Sequence, residues 1–143
     1  MIRKASADDL DAVMAIEQSS FSRPWSRKSF EAELFKASGN FLVYEADGEV
    51  AGYIIFWTVL DEAEIADVAV AEQFKRQQIA ERLINRCIEM NQDTRVIYLE
   101  VGIDNEPAVR LYKKLGFNVN GEIKDYYGTG KNALRMSLEL CRK

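Results

Sequence analysis

Two stretches of this chain hold the residues whose types and spacing can do chemistry. The first runs Asp67-Val68-Ala69-Val70 and on into Lys75-Arg76-Gln77-Gln78-Ile79-Ala80-Glu81. The second runs Tyr98-Leu99-Glu100-Val101 into Asn105-Glu106-Pro107-Ala108, then Leu111-Tyr112 and Leu115-Gly116-Phe117. Each reads as an apolar strand, a turn and the start of a helix. A helix start exposes unpaired N–H groups at the positive end of its dipole, so the one opening at Arg76 to Ala80 can cradle a phosphate. Every helix has such an end and most bind only water, so the strand before it matters. If that strand parts from the one at Tyr98 to Val101, the amides of Val68, Ala69 and Val70 can pair with an extended, amide-bearing ligand of pantetheine shape. Glu100 puts a carboxylate between two apolar neighbours, which suits a groove better than the core. Partial burial would raise its proton affinity and make it a base near neutral pH, whereas a solvent-facing glutamate would do nothing. Asn105 is a good helix N-cap and could also bond a ligand amide. Tyr112, two turns further on, lies on the same helix face. Its ordinary role is packing, and its chemical one is to protonate a departing thiolate. A phosphate-bearing cofactor beside a base and an acid outlines a group-transfer enzyme.

The elements that must position these groups follow from period and punctuation. Ile2 to Ala5 reads as a short strand. Ser6, with Asp9 as an acidic capping-box partner, opens a helix through Leu10, Val13, Met14, Ile16 and Glu17. Pro24 breaks it in the segment Ser20 to Ser26, and Ser26 caps a second helix through Phe30, Leu34 and Phe35. Phe41 to Ala46 and Glu49 to Val59 are strands joined by the hairpin signal Asp47-Gly48, and Gly52 suggests a bulge. After a turn at Asp61 and Glu62 come a strand over Glu64 to Ala71, a helix over Arg76 to Asn91, a strand over Arg95 to Val101 and a helix over Glu106 to Leu115. Pro107 lies in that helix's first turn and Gly116 just past its end. Strands over Phe117 to Ile123 and Ala133 to Leu140 complete the order β-α-α-β-β-β-α-β-α-β-β. That order predicts an α/β (or α+β) fold, a mixed, mostly antiparallel sheet with helices on both faces.

Bulk properties narrow the classes. The 143 residues favour one domain over 1–143, and 48% hydrophobic content supports a core. With 23 acidic against 19 basic residues the net charge is -4, which argues against non-specific nucleic-acid binding and permits a basic peptide partner. There is no histidine, which removes Ser-His-Asp, Cys-His and Cys/His-zinc chemistry. Cys87 and Cys141 read as structural thiols. No run of eighteen apolar residues and no signal-peptide core occur, so a cytoplasmic protein without a metal is expected.

Together these residues resemble the GNAT N-acetyltransferase superfamily over nearly the whole chain, and within it the RimI-type bacterial enzymes that acetylate the N-terminal alanine of a small-subunit ribosomal protein. Pro24-Trp25-Ser26, Val59-Leu60-Asp61-Glu62-Ala63, the Glu100-to-Phe117 steps and Asp125-Tyr126-Tyr127 carry the subgroup likeness. The resemblance implies acetyl-CoA as donor and direct transfer in a ternary complex, with strands splayed at the donor site. It makes Glu100 the general base, Tyr112 the general acid, Val68, Ala69 and Val70 the pantetheine strand and Arg76, Gln77, Gln78, Ile79, Ala80 and Glu81 the pyrophosphate loop. Asn105 becomes a further CoA contact. Trp25, Tyr126 and Tyr127 are candidates for the peptide groove, packing being the alternative for all three. The family loop reads Gln/Arg-x-x-Gly-x-Gly/Ala. Here Gln78 stands where the family has glycine, which costs little in a helical backbone and strains a left-handed one. Other readings stay open: acetylation of a small-molecule amine or a lysine, or a catalytically silent CoA-binding module.

Overall fold

A computed structural model describes residues 1–140. The strands are β1 (Ile2–Lys4), β2 (Gly39–Ala46), β3 (Glu49–Val59), β4 (Glu62–Val70), β5 (Val96–Gly102), β6 (Asn118–Ile123) and β7 (Ala133–Glu139); the helices are α1 (Leu10–Ser20), α2 (Arg27–Leu34), α3 (Ile79–Met90) and α4 (Glu106–Lys114). Hydrogen bonds join the strands in the order β1-β2-β3-β4-β5-β7-β6. The β1–β2, β2–β3, β5–β7 and β6–β7 pairs are antiparallel, and β4–β5 is parallel. The element order is the expected one, with short 3₁₀ turns added at Ala7–Asp9 and Glu72–Phe74. The residues divide into two compact units.

The first unit spans Met1–Trp57 and Ala66–Met90. Both central residues of the Asp47-Gly48 turn have positive φ, 55° and 76°, as a two-residue hairpin with the twist of its strands requires. The bulge foreseen near Gly52 is there: the β2–β3 register jumps from Tyr44↔Gly52 to Glu45↔Val50. Gly52 also serves a close approach, since a Cβ there would lie 2.9 Å from the Ala69 carbonyl oxygen. Adjacent β3 residues point to opposite faces. A Cβ on Gly52 would lie 3.3 Å from Ile79 at the start of α3, while Tyr53 meets Phe30 of α2 edge-on at 5.9 Å. Helices therefore cover both faces, and the fully buried Phe30, Tyr53, Ile55 and Leu83 belong to this unit's core.

The second unit spans Thr58–Ile65 and the chain from Asn91 onward. Ile97, Leu99, Phe117 and Met136 are almost fully buried in it. Helix α4 starts with Asn105 as cap, its side chain accepting from the Ala108 N–H at 3.4 Å, and with Pro107 in the first turn. It ends in a Schellman pattern: the Phe117 N–H reaches Tyr112 O at 2.9 Å, the Gly116 N–H reaches Lys113 O at 3.1 Å, and Gly116 has φ 105°. The outer strand β6 is almost wholly exposed and its pairing with β7 shifts register between Val119 and Gly121; β1 has only three residues.

Candidate active site

The candidate donor-binding residues lie in the first unit. Strand β4 alternates, with Ala63, Ile65, Asp67 and Ala69 buried and Glu64, Ala66, Val68 and Val70 half-buried. The β4–β5 ladder covers four pairs, from Glu62↔Val96 to Ile65↔Leu99, and β4 continues to Val70 beyond it. The segment after β4 departs from expectation. The helix does not begin at Arg76: a 3₁₀ turn at Glu72–Phe74 comes first, Arg76 and Gln78 take left-handed φ of 69° and 62°, and α3 starts at Ile79. Its first turn closes through Arg82 N–H to Gln78 O at 3.0 Å. The strained alternative for Gln78 is thus the one realised. Left-handed residues just ahead of a helix mouth can turn successive N–H groups to one side, as in an anion cradle, which keeps Arg76, Gln77, Gln78, Ile79, Ala80 and Glu81 as the candidate diphosphate loop.

The candidate reacting groups lie in the second unit. Glu100 on β5 stands directly opposite Arg135 on β7, and Arg135 Nη1 donates to Glu100 Oε2 at 2.5 Å. The glutamate side chain keeps 10% exposure, and the guanidinium also covers the Tyr98 ring at 4.4 Å. Glu100 is therefore neither a solvent-facing edge residue nor isolated in an apolar strand. Tyr126 lies beside it, its hydroxyl donating to Glu100 Oε1 at 3.4 Å, and the Tyr127 hydroxyl donates to the Glu100 carbonyl at 3.5 Å. The two rings meet edge-on at 4.8 Å. Their loop is braced by Asp125, whose Oδ1 accepts the Gly130 N–H at 2.7 Å, and by the Tyr127 N–H to Lys131 O at 3.0 Å. Burial first, and the negative charge of Glu100 second, push the Tyr126 hydroxyl up. Tyr112 is buried, edge-on to Phe117 at 5.8 Å. Asn105 caps α4 as described.

Two residues here were missed in the sequence. Arg135 is one. Glu64 is the other: it is paired with Tyr98 in register, so it shares the Glu100 face of the sheet. Burial, then the Glu100 charge, raise the Glu64 carboxyl above the usual carboxylate range, with Arg135 pulling the other way. Burial thus raises the proton affinity of a second carboxylate, Glu64, on the sheet face where Glu100 is ion-paired with Arg135. Strand alternation could have flagged Glu64, but its partner depends on register.

Trp25 lies in the first unit, half-buried against Phe30 at 5.3 Å, with its N–H donated to Glu17 Oε2 at 2.9 Å. Of the cysteines, Cys87 is fully buried and Cys141 lies outside the described residues. Among the described residues no helix is long and apolar enough to cross a membrane.

The fold and these residues define an acyl-transferring α/β enzyme, and comparison with known proteins gives the family. The chain belongs to the acetyltransferase (GNAT) family, whose sequence pattern matches residues 10–117. It is an acetyl-CoA-dependent N-acetyltransferase. It is 39% identical over 139 residues to a Bacillus subtilis (strain 168) protein carried, as a provisional assignment, as a ribosomal protein bS18-alanine N-acetyltransferase, covering 94% of this chain and 92% of that one. It is 31% identical to an N-alpha-acetyltransferase of Sulfurisphaera tokodaii, covering 97% and 92%. The crystal structure of the Escherichia coli ribosomal-protein-S18-alanine N-acetyltransferase superposes with a TM-score of 0.91 at 29% identity, covering 100% of this chain and 95% of that one.

Proposed function

We propose that this enzyme moves the acetyl group of acetyl-CoA directly to the α-amine of an N-terminal alanine, that of a small-subunit ribosomal protein, in the cytoplasm, with the whole chain working as one acetyltransferase domain. The observation that carries this reading is the near-full-length similarity, at 39% identity, to a protein provisionally assigned as a bS18-alanine N-acetyltransferase, beside 34% identity over 85% of this chain to the Escherichia coli enzyme of that name. The local chemistry agrees. The amides of Val68 to Val70 pair with the pantetheine arm, and the N–H groups of Arg76 to Glu81 hold the diphosphate. Asn105 adds a contact to the donor. Glu100, with Glu64 beside it, accepts the proton that the amine loses as its nitrogen bonds to the thioester carbonyl carbon. Tyr112 returns a proton to the thiolate as the C–S bond breaks. Trp25, Tyr126 and Tyr127 hold the acceptor peptide.

An α-amine suits such a base. Its pKa is near ~8 against ~10.4 for lysine, so presenting the neutral nucleophile at pH 7 costs about 1.4 kcal/mol rather than nearly 5. The test is mass spectrometry of an Ala-starting peptide of the ribosomal protein, incubated with enzyme and acetyl-CoA. The expected product carries one acetyl group at the terminus. The same peptide with a blocked α-amine and a free lysine should stay unmodified, and acetylation of that lysine, or of a small polyamine in preference, would overturn the reading.

A further inference from the structure

Glu17 and Asp67 are buried acids that the proposed chemistry does not use. Glu17 keeps 1% exposure and Asp67 8%. Both Glu17 oxygens are engaged: Oε1 takes the Tyr53 hydroxyl from β3, and Oε2 takes the Trp25 N–H from the segment between α1 and α2. The Asp67 carboxyl on β4 is buried close enough to Glu17 to be raised by it, and its Oδ2 is buried with no hydrogen-bond partner among the described residues. The titratable groups set against Asp67 are thus Glu17 from α1 and Tyr53 from β3, neither of them a cation; the Val68 N–H on its own strand works in the opposite sense. α2 contributes the apolar Phe30 to this cluster. Two adjoining carboxylates cannot both stay ionised out of water without a counter-charge. One proton between them lets Asp67 donate to Glu17, which frees Glu17 to hold both Tyr53 and Trp25.

We propose that Glu17, Asp67 and Tyr53 form a one-proton latch that fixes the Trp25 segment, making Glu17 and Asp67 positioning residues for the acceptor. The kinetic half rests on the reading of Trp25 as an acceptor-binding residue. Burial and the Glu17 charge push the Asp67 carboxyl up to about 9, so the latch is closed at neutral pH and opens on the alkaline side. Once the proton leaves, repulsion drives the α1 carboxylate away and the Trp25 N–H loses its acceptor.

The chain has two tryptophans, Trp25 and Trp57, so Trp57→Phe leaves Trp25 as the sole indole. Its emission is followed across the alkaline range in the full chain, with and without Asp67→Asn, which keeps an N–H donor toward Glu17 and carries no titrating proton. The expected result is an emission change with a midpoint near the Asp67 value in the parent and none in Asp67→Asn. The acceptor KM of the parent, relative to Asp67→Asn, should be near unity at neutral pH and about tenfold higher one pH unit above the midpoint, where about a tenth of the molecules keep the proton. The acetyl-CoA KM ratio should stay flat. An emission change that persists in Asp67→Asn, or its absence in the parent, overturns the latch. Asp67→Ser, which keeps a hydroxyl donor, replaces the asparagine variant if circular dichroism shows that variant unfolded. A titrating emission with a flat acceptor KM ratio supports the latch and overturns Trp25 as an acceptor residue.

Discussion

Opposition of Glu100 and Arg135 across β5 and β7 gives the proposed base a fixed direction, since the fork of the guanidinium holds one carboxylate oxygen and leaves the other toward Tyr126. Glu100→Gln is expected to lower turnover by roughly 10²–10⁴ while acetyl-CoA still binds, measured by steady-state kinetics beside calorimetry. Glu64→Gln should cost less, and should remove from the acidic limb of the rate profile the part that the raised Glu64 carboxyl contributes, read from kcat/KM against pH. Gln78 makes a second residue-scale expectation. At φ 62° a side chain with a Cβ is strained by about 1–3 kcal/mol, so Gln78→Gly should stabilise the fold by up to ~1 kcal/mol and Gln78→Val should destabilise it, both read from urea melts. The order of motifs singled out Glu100, Tyr126 and Tyr127 as candidates, but not that the two tyrosines would lie against Glu100. Arg135 and Glu64 were not legible, because each meets Glu100 only through strand register, across 35 residues in one case and 36 in the other. Glu17 gave a signal: it lies on the apolar stripe of Leu10 and Val13, where a charge needs an explanation. Its partners, on β3 and β4, left no trace near it.

Among the elements, those with caps were read well. Ser26, Asn105, Pro107 and Gly116 mark the limits of α2 and α4 in residue types whose backbone preferences are strong. The start of α3 was read three residues early because Arg76-Gln77-Gln78 are good helix formers and contain no proline or glycine to break the pattern. What holds them left-handed is not a propensity that local sequence expresses. The β3–β4 contact offers a test of how one element shapes the next. Gly52→Ala would set a methyl 2.9 Å from the Ala69 carbonyl, in the strand proposed to pair with pantetheine. The substitution should cost about 1–3 kcal/mol in stability. It should also weaken acetyl-CoA binding, which calorimetry would detect; unchanged affinity would remove Val68 to Val70 from that role.

For the whole molecule, two acids set opposite limits to stability. Hydrogen bonds from Arg3 hold the Asp9 carboxyl below its usual range, so the stability it contributes is present above its unfolded value and is lost as pH falls through the folded one. Asp67 has the opposite sign: its contribution is complete below its unfolded value and is lost as pH rises through about 9. Thermal melts should therefore fall off on both sides of a maximum in the acid range, with Arg3→Met flattening the limb below it and Asp67→Asn the decline that runs from there up to about pH 9. Acetyl-CoA at a hundred times its Kd should add about 2.7 kcal/mol to unfolding. The margins of the sheet have a consequence for behaviour at high concentration. A three-residue strand carrying Arg3 and Lys4 lies at one side, and a strand interrupted between Val119 and Gly121, with Glu122 following, lies at the other. Neither margin offers the long, flat row of amides on which a second molecule could dock strand to strand. Deleting Asn120 to restore an even pairing, with Glu122→Val, should turn that margin into a template, visible as thioflavin-positive fibres where the parent stays clear.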